Sequence, residues 1–143
     1  MTLGTIYIIV NDISRSMDFY KILLQEKPIY QNDDRWVQFN NNIALYNKDY
    51  DKKLMNKDSN ERFNRTYIDE FYKDEGLRKN NIMVLNFEVE DLKSEYDRLK
   101  KANIGELSEL MYVNVHMSYW YFNIIDPDGN TIEITGRYTA APY

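Results

Sequence analysis

Cysteine is absent from the 143 residues of the chain, histidine occurs once, and glycine and proline are scarce, at five and three residues. The absence of cysteine excludes disulfides, thiolate metal sites and a cysteine nucleophile. The sequence also has no Gly-rich loop of the kind that binds phosphates. The apolar segment at residues 6–10 is too short for a signal sequence or a membrane span. We therefore expect a soluble, cytoplasmic protein with no membrane partner.

The charge balance limits the classes of partner. With 18 Lys and Arg against 23 Asp and Glu, the net charge is −5. Nucleic acids and anionic membranes require clustered basic residues, so neither is an expected partner, and neutral or cationic ligands are favoured. Hydrophobic residues make up 43% and charged residues 29%, which is typical of a globular chain. The length suits one domain.

The segment 126–134 predicts a β-hairpin near the end of the chain. Pro127 presets the first corner of the turn, and Gly129 can take the positive φ that a bulge-type hairpin requires. After the turn, Ile132 and Ile134 alternate with polar residues, as in a strand with two unlike faces. Glu133 therefore points away from the apolar face, either to solvent or into a cleft.

Residues 1–46 predict a strand, a helix and three further strands. The asparagines at 40–42 predict a hairpin turn, because Asn tolerates the left-handed conformation. A helix over about 14–25 is indicated by apolar residues at helical spacing, namely Ile13, Met17, Tyr20 and Leu24. The predicted strands cover residues 6–10, 28–30 (as a short edge strand), 36–40 and 43–46.

The same plan recurs in residues 81–143. One constant offset superimposes Asp12 on Asp91, and both aspartates suit the N-cap of a helix. The same offset superimposes four apolar pairs, which are Val10 on Val89, Ile13 on Leu92, Met17 on Tyr96, and Tyr20 on Leu99. Strands are predicted at 83–89, 107–112, 115–125 and 131–137. We therefore predict an α+β fold of two tandem βαβββ units; two unrelated α+β segments are the alternative.

Residues 47–80 form a connector between the two units. This segment is charged and shows little alternation, and its one predicted element is a short helix at about 64–73. A connection of this length is typical of a lid, a dimer contact or a mobile linker. The sequence leaves all three open. We predict that the first unit, the connector and the second unit together make one domain.

Three short motifs carry a resemblance to a known superfamily. They are Val10-Asn11-Asp12 with Phe19-Tyr20, then Val89-Glu90-Asp91, and finally Asp126-Pro127-Asp128-Gly129-Asn130 through Glu133. In this order, across two βαβββ units, the chain resembles the vicinal oxygen chelate superfamily. That group includes glyoxalase I, extradiol dioxygenases, fosfomycin-resistance enzymes and bleomycin-resistance proteins. The resemblance implies paired curved mixed sheets around a cleft, helices outside, and a homodimer.

The resemblance also implies where a metal would bind in the metal-using members. Two positions that usually hold histidine fall on Thr5 and Val84, and a third falls near Ala44. Only Glu133, on the last strand, supplies a donor. A catalytic divalent ion needs three or more good donors. Adding Glu88 or the single histidine, His116, still gives an incomplete set, so we expect no metal cofactor; if one binds, Glu133 is its ligand.

Alternation also predicts which residues line the cleft. If Glu133 faces the cleft, the predicted ligand-binding residues are Tyr7, Trp36, Gln38, Tyr46, Asn86, Glu88, Tyr119, Tyr121 and Glu133. Thr5, Ala44, Val84 and Asn123 share that side, and the other side is nearly all apolar. Aromatic rings with nearby carboxylates suit a planar, cationic molecule. Alternatively, the tyrosines, 13 in all, are half-buried and serve sheet propensity or a dimer interface.

Three functions follow as hypotheses. The first is a metal-independent, dimeric small-molecule binding protein of the bleomycin-resistance type, which sequesters an aromatic or cationic compound. The second is a metal-dependent lyase or dioxygenase of the glyoxalase type that uses Glu133. The third is a structural or regulatory dimer with a vestigial pocket. Nucleophilic catalysis has no support, and an acid–base pair of Glu88 and Glu133 depends on a proximity that the spacing does not show.

Overall fold

The computed structural model describes residues 5–40, 42–63, 68–69, 71–72, 83–114 and 118–140, with the backbone alone at 57–61 and 113–114. Its elements are β1 Ile6–Ile9, α1 Ile13–Leu24, β2 Tyr30–Asn32, β3 Trp36–Gln38, β4 Ile43–Tyr46, α2 Lys48–Arg62, β5 Leu85–Asp91, α3 Leu92–Ala102, β6 Met111–Asn114, β7 Ser118–Ile125 and β8 Thr131–Arg137. None of the helices in these ranges is long and apolar enough to cross a membrane.

The chain forms two compact units, Met1–Lys79 and Asn80–Tyr143. The four-stranded sheet of the first unit has the order β1-β4-β3-β2, and that of the second has the order β5-β8-β7-β6. In each sheet, the first strand of the unit is parallel to the last and the remaining neighbours are antiparallel. The two sheets are therefore mixed and share one strand order, which confirms the predicted α+β fold with its repeated βαβββ plan.

One face of each sheet is covered by the helix of its own unit. In the first unit, α1 packs on β3 and β4, and the Tyr20 ring lies 6.5 Å from that of Phe39. In the second, α3 packs on β5, β7 and β8, and Tyr96 meets Phe122 edge-on at 5.1 Å. The apolar residues predicted for these faces form the two cores. Burying them supplies most of the stability of each sheet, at about 25 cal/mol per Å² of apolar surface.

Helices α1 and α3, which correspond to each other in the two units, have the predicted aspartates as their N-caps. The Asp12 carboxylate accepts a hydrogen bond from the backbone N–H of Arg15 at 2.9 Å, and that of Asp91 accepts one from Ser94 N–H at 3.0 Å. These bonds satisfy N–H groups that have no partner within the first helical turn. The bonds from Ser94 to the charged carboxylate lower the pKa of Asp91.

Removing either cap will destabilise the fold. We expect Asp12→Ala to lower the free energy of unfolding by about 1 kcal/mol, measured by urea denaturation at pH 7. Asp91→Ala will also lower the melting temperature. The folded pKa of Asp91 is depressed below its ordinary value of 3.8. Its charge therefore stabilises the folded state above pH 3.8, and this stabilisation is lost as the pH falls through the folded pKa. Asp91→Asn, which caps without charge, is the control; equal damage from Asn and Ala would contradict the cap.

The hairpin turn at 126–130 has the predicted geometry. Gly129 has φ of 84° and its N–H donates to the carbonyl of Asp126 at 3.0 Å. The Asp126 side chain is buried and accepts from the backbone N–H groups of Asp128 and Asn130 at 2.9 and 2.8 Å. It also accepts from the Asn130 side chain at 2.9 Å. The Asp126 carboxylate thus accepts hydrogen bonds from backbone N–H groups of the turn, and it helps to hold β7 and β8 in register.

Helix α2 was not predicted from the sequence. Its residues are almost all polar, so the apolar periodicity that indicates a helix is weak. Polar contacts fix it instead: Asn47 caps its start by accepting from Asp49 N–H at 3.1 Å, and Asp51 and Met55 are buried. The described residues 68–69 and 71–72 are helical, within the short helix predicted at 64–73.

Several strand limits differ from the prediction. The edge strand β2 is Tyr30–Asn32 instead of 28–30, and β5 is Leu85–Asp91 instead of 83–89. The sixth strand begins at Met111 instead of residue 107. Leu107 forms only an isolated bridge with Ile124 of β7, and continuous pairing starts at Met111. Propensity does not specify such irregular pairing, since tertiary contacts decide where a strand begins.

Candidate functional site

The face of the first sheet opposite α1 carries three aromatic rings. The register pairs Tyr7 with Ala44 and Trp36 with Tyr46, so these side chains share one face with Gln38. Ring centroids are separated by 5.6 Å for Tyr7 and Trp36, 6.0 Å for Tyr7 and Tyr46, and 6.3 Å for Trp36 and Tyr46. We call Tyr7, Trp36, Gln38 and Tyr46 the aromatic face; all four were predicted as ligand-binding residues.

The aromatic face is accessible to solvent. Tyr7 is 55% exposed, and Trp36, Gln38 and Tyr46 are each half-buried. Tilted and edge-on ring pairs hold the aromatic side chains against one another while leaving part of their surface free. Such a surface can stack on a planar molecule, and the ring quadrupoles attract a cation placed over them.

An ion pair between the half-buried Arg35 and the buried Asp51 fixes the edge of this face. Arg35 Nε and one of its terminal nitrogens donate to the two Asp51 carboxylate oxygens at 2.6 and 2.9 Å. The Tyr46 hydroxyl donates to Asp51 at 2.7 Å, and the Arg35 guanidinium lies 5.4 Å from the Tyr46 ring centroid. Asp51 belongs to α2, so the start of the connector is anchored to this sheet. Sequence reasoning missed the pair because no local pattern links residues on different elements.

The corresponding face of the second sheet carries a row of polar side chains. The register aligns Asn86 on β5, Glu133 on β8 and Asn123 on β7 directly across the sheet. Asn86 Nδ2 donates to Glu133 Oε1 at 2.9 Å. Among the residues that the structure describes, the Asn123 side-chain oxygen is buried without a hydrogen-bond partner. We call Asn86, Glu133 and Asn123 the polar row.

Next to the polar row lies a second line of residues. Glu88, Thr135 and Tyr121 are aligned across the same three strands. Tyr119 and Tyr121 share this face, and their ring centroids are 5.7 Å apart. The structure thus brings Asn86, Glu88, Tyr119, Tyr121 and Glu133 onto one face of the second sheet, as alternation predicted. The acid–base pair of Glu88 and Glu133, which the sequence did not support, stays untested.

The residues at the superfamily's metal positions do not fit a metal ion. Thr5 is exposed, Ala44 is fully buried and Val84 is apolar. Within residues 5–40, 42–63, 68–69, 71–72, 83–114 and 118–140, no three His, Asp or Glu side chains come together as a metal site would require. The predicted rescue ligand His116 lies outside the described residues.

Comparison with known proteins places the chain in a family. The model of the family described as glyoxalase-like domain matches residues 3–138. The chain belongs to the glyoxalase-like domain family. The resemblance to the vicinal oxygen chelate superfamily, carried by the two Asp-capped helices and the final hairpin, is thereby confirmed. No curated protein matches this glyoxalase-like chain significantly by sequence.

Solved structures share the fold of this glyoxalase-like chain at low identity. A protein of unknown function from Agrobacterium tumefaciens is 21% identical with a TM-score of 0.64, covering 96% of this chain and 95% of that one. A glyoxalase-related enzyme from Fulvimarina pelagi is 17% identical, with a TM-score of 0.60 and coverages of 96% and 88%. A lactoylglutathione lyase from Agrobacterium tumefaciens is 13% identical, with a TM-score of 0.62 and coverages of 94% and 92%. These likenesses show the fold alone.

Proposed function

We propose that this glyoxalase-like protein binds a small aromatic or cationic molecule without a metal ion. The observation that carries the proposal is the cluster of three partly exposed rings on the aromatic face, 5.6 to 6.3 Å apart. Exposed aromatic surface costs free energy in water, and a ligand that covers the three rings would remove that cost. Sequestration of a toxic compound by a cytoplasmic homodimer is the biological role that we propose.

The net charge of the chain and the side chains on one face of the second sheet support a cationic ligand. The chain carries a net charge of −5, and Glu88 and Glu133 share one face of the second sheet with two tyrosines. A cation gains from the carboxylates and from the ring quadrupoles, whereas an anion is repelled by both. The ligand class that fits these groups is therefore a planar aromatic compound with a positive charge.

The metal-dependent alternative has less support. A lyase or dioxygenase of the glyoxalase type would need further donors beside Glu133, and the described residues bring no such set to it. The alternative of a structural or regulatory dimer draws on a specific feature: Tyr7 and Ile9 alternate on one face of β1 and are 55% and 54% exposed. A second copy packed there would cover both side chains and so compete with a ligand for the aromatic face.

The proposal is tested by a ligand screen and two matched variants. A thermal-shift screen of cationic aromatic compounds will give stabilising hits, whose Kd is then measured by calorimetry. Trp36→Leu will raise the Kd about tenfold or more, because a well-packed Trp contact contributes about 2 kcal/mol to binding. The control is Trp120→Phe, since Trp120 lies on the opposite face of its sheet against Tyr112 and Tyr138.

The outcome separates ligand binding from a structural role of the rings. Unchanged affinity in Trp36→Leu, together with a loss of dimer in gel filtration, would contradict the proposal and favour the regulatory dimer. A screen in which neither cationic nor neutral aromatic compounds stabilise the protein would also count against it. Lost affinity with unchanged oligomeric state is the expected result.

A further inference from the structure

We propose that the polar row of the second unit binds a protonated nitrogen group, such as an amidinium, guanidinium or primary ammonium group, that donates N–H bonds to Asn123 and Glu133. This inference rests on the proposed function and makes it specific. It names the chemical group that this face of the second sheet recognises.

The first support is the unpaired oxygen of Asn123. Its side-chain oxygen is buried and has no hydrogen-bond partner in the described part of the chain. Leaving a buried acceptor unpaired costs about 1–3 kcal/mol, so folded proteins rarely retain one without a reason. The backbone of Asn123 is fully used, because its N–H donates to Ser108 Oγ at 2.9 Å and its carbonyl accepts from Ser108 N–H at 3.0 Å. Only the side chain is left to recognise a donor.

The second support is the position of Glu133 beside that oxygen. Asn123 and Glu133 are cross-strand partners, and such pairs have Cβ atoms about 5 Å apart. Asn86 holds Glu133 through Oε1, which orients the carboxylate and leaves Oε2 available as an acceptor. One nitrogen group of a ligand can therefore span the two acceptors, as a planar group with two N–H bonds does.

The chemistry of the row selects the ligand. Glu133 supplies a charged acceptor and Asn123 a neutral one, while the Asn86 amide nitrogen donates to Glu133 and to the Thr135 hydroxyl. Glu88 adds a second negative charge on the same face. A neutral alcohol or ether gains little here, and a carboxylate or phosphate would be repelled by both glutamates. A protonated nitrogen group can donate a hydrogen bond to the Asn123 oxygen and also balance the negative charge of Glu133.

The test compares four probes on the intact protein. Benzamidine and benzylamine carry the nitrogen group, whereas benzamide and benzyl alcohol keep the ring and lack the charge. We expect calorimetry to show binding of the two cations at least about tenfold tighter than of the two neutral probes, because hydrogen bonds to charged groups contribute about 1.5–3 kcal/mol. Equal affinity across the four probes would overturn the inference.

Asn123→Leu is the decisive variant, because it separates binding from stability. Leu has a similar volume and removes the unpaired acceptor, so the melting temperature will rise by about 3 °C while benzamidine affinity falls at least about tenfold. Glu133→Gln will lower benzamidine affinity by a similar factor at nearly unchanged stability. Ser118→Ala, at the exposed start of β7, is the control and will change neither quantity.

The possible failures are distinguishable. If Asn123→Leu lowers the melting temperature, Asn123 is a structural residue and the inference is wrong. If aromatic probes bind but neither Asn123→Leu nor Glu133→Gln weakens benzamidine, the proposed function stands and the polar row is not its cation site. If none of the four probes binds at millimolar concentration, the inference and the proposed function both lose their support.

Discussion

Arg35→Leu will lower the free energy of unfolding by about 3–5 kcal/mol, the largest effect that we expect from a single substitution. Its partner Asp51 is fully buried, and Arg35 donates two hydrogen bonds to it. Removing the guanidinium leaves a buried carboxylate without the cation that balances its charge, and the desolvation of that charge is costly. Urea denaturation at pH 7 measures the loss. The same variant will weaken ligand binding, because Asp51 also holds the hydroxyl of Tyr46 in the aromatic face.

Two further variants test this explanation. Lys21→Ala breaks an exposed ion pair with Asp18 and will change stability by no more than about 0.5 kcal/mol. The double variant Arg35→Leu with Asp51→Leu will recover much of the loss, because it removes the stranded charge together with its partner. If the double variant is as unstable as Arg35→Leu alone, the buried charge is not the cause of the damage.

Gly136→Ala is the second substitution with a large expected effect, of about 3 kcal/mol. A Cβ at this position of β8 would lie 2.5 Å from the Val89 carbonyl oxygen and 2.9 Å from its Cγ2 atom. Neighbouring Leu92 N, at the start of α3, lies at 3.3 Å. The clash is with backbone at the strand-to-helix junction, so the parallel pairing of β5 and β8 must shift to relieve it, and overpacking of this kind is destabilising.

A rescue experiment identifies the clashing atom. Val89→Ala removes Cγ2 but leaves the carbonyl oxygen, so adding it to Gly136→Ala will recover only a small part of the melting temperature. Thr139→Ala, just beyond the end of β8, is the control and will be nearly neutral. Full recovery by Val89→Ala would mean that the side chain, and not the backbone approach, requires glycine.

Alternation and capping were sufficient to predict the sheets and their faces. Each unit is specified by signals that act over a few residues: period-2 alternation in β3 and β8, Asp12 and Asp91 at helix starts, and Gly129 in the turn. These signals are local and strong, so tertiary contacts do not override them. For the same reason, every predicted ligand-binding residue of the first unit lies on the face opposite α1.

The features that were not predicted depend on contacts between distant residues. Helix α2 lacks an apolar stripe and is anchored by Asp51, whose partners Arg35 and Tyr46 belong to other elements. The special character of Asn123 is likewise invisible in sequence, because it depends on one buried atom without a partner. The cleft, the homodimer and the role of the connector stay predictions.

Metal dependence of ligand binding tests the central claim most directly. Protein treated with EDTA and protein incubated with zinc, nickel, manganese or iron(II) are compared by elemental analysis, and the best hit of the screen is titrated into each by calorimetry. We predict no near-stoichiometric metal and the same Kd in all samples. Near-stoichiometric metal that is lost in Glu133→Gln, with binding or turnover only in the loaded protein, would contradict metal-independent binding and restore the glyoxalase-type enzyme.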